Sequence, residues 1–274
     1  MCRGFVLFLF FLVSTYSGIA DEIKICKCEG SIKSDFATLN IDADWDLEWP
    51  YKMDGTSSNA LQGIHKQICY DAFLSSTLDF RDDATNEIPA RADFAQVILF
   101  KIALEKVCER EDAFPARSFV FSADLKINFV TDGYIGYTLR GYENEGGNGC
   151  HSYIIARVIS LTTGRCIRES DLILTNKLTK LRDYIVKKSA AEFKVEPDSL
   201  FNGSFFDGGT FMIEPDGIRW YIPPYTVYPG CAGVVDVIIT WDELTPYFES
   251  RKYLNQFRKF HLAYKKITRT QKEE

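Results

Sequence analysis

The chain predicts an α+β fold, an antiparallel sheet with helices packed on it and a C-terminal amphipathic helix. Three patterns carry that expectation. Residues 41–49 and 119–129 alternate apolar and polar side chains, the signature of strands with one buried face. Helical spacing is bunched near 58–77, 91–110 and 176–192, between runs of strands. Turn sequences such as Thr131-Asp132-Gly133 and Glu214-Pro215-Asp216-Gly217 join neighbouring strands as hairpins.

Taken in order, the chain opens with Arg3, then the apolar run FVLFLFFLV at 5–13, then small Gly18 and Ala20 ahead of Asp21. Charge, apolar run and small-residue cut in that order predict a secretory signal peptide over 1–20. The run is too short to cross a bilayer as a helix. Cys2 precedes it and Cys26 lies past the cut, so no N-terminal lipid anchor is expected. No later run reaches membrane-spanning length, and a soluble periplasmic or secreted product is expected.

Cysteine usage agrees with export. Without Cys2, seven of the eight cysteines remain: Cys26, Cys28, Cys69, Cys108, Cys150, Cys166 and Cys231. An oxidising compartment lets them pair, and the odd count leaves one over or bridging chains. Paired CxxC motifs are missing, and no metal site or cofactor is expected. The net charge is −6, yet residues 249–274 hold eight Lys/Arg against three Glu. An acidic body with a short basic tail excludes nucleic acid as the expected partner.

In the first strand Asp42, Asp44, Asp46 and Glu48 share one face. Same-face neighbours lie about 6.6–6.8 Å apart along a strand, so the four cannot close on one cation and read as a solvated face. Pro50 ends this strand. Ser57 or Ser58 caps a helix whose stripe is Leu61, Ile64, Ile68, Ala72 and Phe73, which sets His65 at the surface. A second helix covers about 91–110. Long strands follow near 119–129 and 134–142, then one at about 152–160. Leu178, Leu181, Ile185 and Val186 mark a helix across 176–192. Strands near 209–213, 218–222 and 234–240 complete the sheet. Tyr253, Phe257, Phe260 and Tyr264 then form one aromatic stripe, read either as a docked helix or as one that binds a partner or a membrane surface.

Motifs for chemistry are sparse. Cys150 and His151 are adjacent, and neighbours in an extended chain point to opposite faces, so they make a poor nucleophilic dyad. GxSxG and HExxH do not occur, and Gly146-Gly147-Asn148-Gly149 lacks the Lys-Ser/Thr of a phosphate loop. Asn202-Gly203-Ser204 is a glycosylation sequon. The segment 217–233 combines Trp220, Tyr221, Pro223, Pro224, Tyr225, Tyr228, Pro229, Cys231 and Gly233 between two strands. Aromatic residues on a short, stiff loop suit recognition, and equally suit self-packing.

This segment resembles the C-terminal domain of the RsiV-like family, exported proteins grouped around the anti-sigma-V factor. The residues that carry the likeness are Asp216-Gly217-Ile218, Trp220-Tyr221, Pro224-Tyr225, Tyr228-Pro229, Gly233 and the closing Trp241-Asp242-Glu243-Leu244. Upstream, Tyr142 with Gly146-Gly147-Asn148-Gly149, the turn Thr163-Gly164-Arg165, and Asp171-Leu172 resemble further family features. The likeness covers about 114–248. Residues 40–113 resemble the segment preceding that domain in the same proteins and in the deacetylase PdaC. No sigma-binding tail, transmembrane helix or deacetylase catalytic domain is expected from these residues, so the resemblance implies neither the regulatory role nor the deacetylase activity.

The resemblance implies an envelope binding domain with these parts: signal peptide 1–20, a strand-helix segment 21–113, the RsiV-like domain 114–248 and a basic tail 249–274. Its expected ligand-binding residues are Tyr142, Gly146, Gly147, Asn148, His151, Tyr221, Tyr225, Tyr228, Pro229 and Gly233, facing a protein or cell-wall ligand, with lysozyme as one candidate. It also implies a disulfide between Cys150 and Cys231. Two other readings stay open: a cell-wall hydrolase using Glu143, Glu145 and Asp236, and membrane-surface attachment through the tail helix.

Overall fold

The computed structural model describes residues 16–17, 23–36, 39–53, 57–74, 117–131, 133–144, 150–194, 210–224, 227–228, 233–248, 254–255 and 257. The fold is α+β. One sheet takes six strands in chain order, β1 (Tyr16–Ser17), β2 (Ile23–Phe36), β3 (Leu39–Met53), β4 (Arg117–Val130), β5 (Tyr134–Asn144) and β6 (Cys150–Ser160). A second sheet orders β7 (Thr210–Glu214), β8 (Gly217–Ile222) and β9 (Val235–Thr240). The described helices are α1 (Ser58–Leu74), α2 (Glu169–Leu172), α3 (Thr175–Phe193) and α4 (Trp241–Leu244). No described helix is long and apolar enough to cross a membrane. The expected helix at 91–110 lies outside the described residues.

The chain divides into two compact units, 1–126 with 139–152, and 127–138 with 153–274. In the first, the alternation of β3 buries Trp45, Leu47 and Trp49, while Asp44 is exposed and Asp46 and Glu48 are half-buried. β3 pairs antiparallel with β2 but parallel with β4, Leu39 opposite Arg117 through Leu47 opposite Leu125. The α+β expectation holds, and the β3–β4 pair adds one parallel ladder to the antiparallel ones. A parallel pair needs a crossover of a dozen or more residues, and the stretch from β3 to β4, with α1 in it, is long enough.

Pro50 does not end β3. The β4 register stops at Leu47, so the proline's missing N–H removes no bond on that side. On the β2 side the register slips between Lys24 and Ile25, a bulge of the kind that admits proline. Ser57 caps α1 by accepting a bond from the Ala60 amide at 3.2 Å. The helix buries Ala60, Ile64, Ile68 and Ala72, and with them His65 and Asp71.

The second unit is built around β8. Ile218, Trp220 and Ile222 alternate inward, opposite Val235, Val237 and Ile239 of β9 and Phe211 and Ile213 of β7. Leu181 and Ile185 of α3, Leu172 of α2 and Trp241 and Leu244 of α4 join this core. Phe129, Ala156 and Val158 join it from β4 and β6. The turn from β4 to β5 closes with the Thr131 amide on the Tyr134 carbonyl at 2.8 Å. Phe248, Leu254 and Phe257 complete the core, and Phe257 lies 5.9 Å from Tyr134, centroid to centroid. Phe257 therefore belongs to a docked segment. Tyr253, Phe260 and Tyr264 lie outside the described residues.

Candidate functional site

The Pro-Tyr segment leaves β8 at Ile222 and returns at Gly233, which has φ +68°, ahead of β9. It is pinned to α3. Tyr228 is buried, and its hydroxyl sits 2.6 Å from the Ser189 Oγ. Ser189 donates its own proton to the Val186 carbonyl at 2.9 Å. Tyr228 is therefore the donor to Ser189. Burial pushes the Tyr228 hydroxyl pKa up, and the nearby Glu192 charge adds to it. The Tyr228 ring is tilted against Phe193 at a centroid distance of 6.3 Å. Phe193, in the last turn of α3, is half exposed, the one large apolar side chain among the described residues that is.

Several polar side chains of this unit are paired internally. The buried Glu169 accepts Arg182 Nε and Nη2 on one oxygen at 3.1 and 3.0 Å, and Trp220 Nε1 on the other at 2.7 Å. These bonds tie α2, α3 and β8 together around a carboxylate that is costly to bury unpaired. Arg219 on β8 bridges Glu214 on β7 and Asp236 on β9. Its hydrogen bonds to Glu214 raise its pKa, burial opposes them, and Asp236 raises it further.

Glu243 accepts Tyr184 Oη at 2.6 Å, Lys188 Nζ on both oxygens, and the Thr240 amide and hydroxyl at 2.8 Å each. Burial alone would raise its pKa, yet the Lys188, Tyr184 and Thr240 bonds hold it down at about 2. The same carboxylate, first through its hydrogen bond and then with burial, pushes Tyr184 up to about 12. Among the described residues of this unit, the four carboxylates that are at least half-buried, Glu169, Glu214, Asp236 and Glu243, are thus all held by cationic side chains.

The expected site residues are distributed as follows. Tyr221 on β8 is half-buried against the core, opposite Thr210 and Asp236. Tyr221, Tyr228 and Gly233 belong to the second unit. Tyr142 on β5 is half-buried, with the Asn144 amide 3.5 Å from its hydroxyl, and belongs to the first. Cys150 and His151 open β6 in that same unit. Gly146, Gly147, Asn148, Tyr225, Pro229 and Cys231 lie outside the described residues. Of the hydrolase candidates, Glu143 is buried on β5, Asp236 is paired with Arg219, and Glu145 lies outside the described residues.

His65 is not at the surface. It stacks on Trp49 at 4.6 Å, and its Nε2 lies 2.6 Å from the Pro50 carbonyl. Burial lowers its pKa, and the Pro50 bond only partly offsets that. Among the described residues no group of three His, Cys, Asp or Glu is placed to hold a metal ion. Sequence reasoning did not single out Ser189, Phe193, Glu169, Arg182 or the Glu243 cluster. One signal was available for the last, since Thr240-Trp241-Asp242-Glu243 has capping-box spacing and forms that box in the structure.

Residues 170–242 match a family model described as a protein of unknown function, DUF3298. The match spans α3, the three-stranded sheet and the Pro-Tyr segment, and stops short of Phe248, Leu254 and Phe257. No curated protein matches the chain. A member of the DUF3298 family from Bacteroides fragilis is similar in structure, with 12% identity and a TM-score of 0.60, covering 89% of this chain and 99% of that one. A DUF3298 family protein from Pseudomonas aeruginosa PAO1 has 10% identity and a TM-score of 0.54, covering 85% of this chain and 96% of that one. At such identities the likeness is one of fold.

Proposed function

We propose that this chain is an exported binding domain of the cell envelope that recognises its ligand through the Pro-Tyr segment and the end of α3. The observation that carries the reading is the pairing of a half-exposed Phe193 with a loop anchored at Tyr228. An exposed aromatic ring held against a buried one suits recognition, because little entropy is lost when an ordered side chain binds. Binding is preferred to hydrolysis because Asp236, one of the three candidate carboxylates, is ion-paired with Arg219. The RsiV-like resemblance, with the Gly-Gly loop at 146–149 as a second recognition segment, makes a muralytic protein such as lysozyme the first ligand to try.

The test is calorimetric titration of residues 21–274 with lysozyme and, separately, with soluble peptidoglycan fragments. Saturable binding to either, weakened at least tenfold by Phe193→Ser with Tyr225→Ala in a folded protein, is expected. Binding to neither at micromolar concentrations would reject the reading. Tyr228 is unsuited to this test, since its ring is core.

Export is part of the same reading. Cleavage before Asp21 removes β1, whose Tyr16 and Ser17 pair with Ile25 and Lys24. We expect intact and peptide-level mass spectrometry of the secreted protein, without reductant, to give an N-terminus at Asp21 and a Cys150–Cys231 crosslinked peptide. A retained leader would overturn the first expectation, and unlinked thiols at both positions the second.

A further inference from the structure

We draw no further inference here: the strongest candidate, the row of carboxylates that strand register sets across β2, β3 and β4 (Glu29, Asp46 and Asp124), is an acidic cluster that no second observation among the described residues ties to a cation.

Discussion

His65 lies four residues after Leu61 and three before Ile68, so its position borders the apolar stripe of α1. Read as lying off that stripe, it is expected at the surface. What reverses that assignment is the Trp49 face it stacks on and the Pro50 carbonyl it reaches, both fifteen or so residues away on β3. The consequence for pH follows from the sign of its shift. The folded protein holds the neutral ring, with a pKa below the ordinary 6.5. The stabilisation is therefore complete above about pH 6.5 and is lost as pH falls through that value toward the lower folded one. Urea denaturation at pH 8 and pH 5 should show wild type losing more stability on acidification than His65→Gln does. Equal losses would mean that His65 is not held neutral. Tyr228 teaches the same lesson, because its role depends on Ser189, 39 residues earlier in the chain. No local pattern encodes that contact.

Elements were more legible than residues. The alternation in β3, β8 and β9 and the helical spacing in α1 and α3 arise from burial of one face, which a single sequence displays directly. Pro50 was misleading because its meaning depends on where the β4 register stops and where β2 bulges, both tertiary facts. β2 itself was not anticipated. The polar and small residues of CKCEGS interrupt its alternation, and its pairing with β3 supplies what local pattern lacks. The end of α3 is a further case. Lys194 stops the helix in the left-handed conformation, φ 55° and ψ 39°, with its amide on the Ala190 and Ala191 carbonyls. Glycine is the usual residue at such a stop, and a side chain there is strained. Lys194→Gly should raise the unfolding free energy by up to about 1 kcal/mol, the relieved left-handed strain less the entropy glycine adds to the unfolded chain, seen as a higher urea midpoint at unchanged slope. A lower midpoint would show that the Lys194 side chain makes a contact worth more than the strain it carries.

At the scale of the whole chain, the stretch matched by the family model is smaller than the core it belongs to. The match ends at residue 242, while the core of the second unit also takes Phe248, Leu254 and Phe257 from beyond it and Phe129 from well before it. Aromatic spacing in the tail was legible, but whether the stripe is buried was not, because that depends on Tyr134 and Phe248 presenting faces to Phe257. Burial separates two roles for residues 249–274. A detachable surface helix could be removed without loss of stability. A docked one contributes about 1.5–3 kcal/mol for each fully buried large apolar side chain. Leu254 and Phe257, at 3% and 1% exposure, together put about 3–6 kcal/mol at stake, against a typical total of about 5–15 kcal/mol. A chain ending at residue 248 should therefore unfold roughly 6–24 °C below the full chain in calorimetry, or fail to fold. One ending at 257 keeps both side chains and should recover most of that difference. If the chain ending at 248 melted with the full-length protein, the tail would be an appendage after all, and membrane-surface attachment would become the reading to pursue.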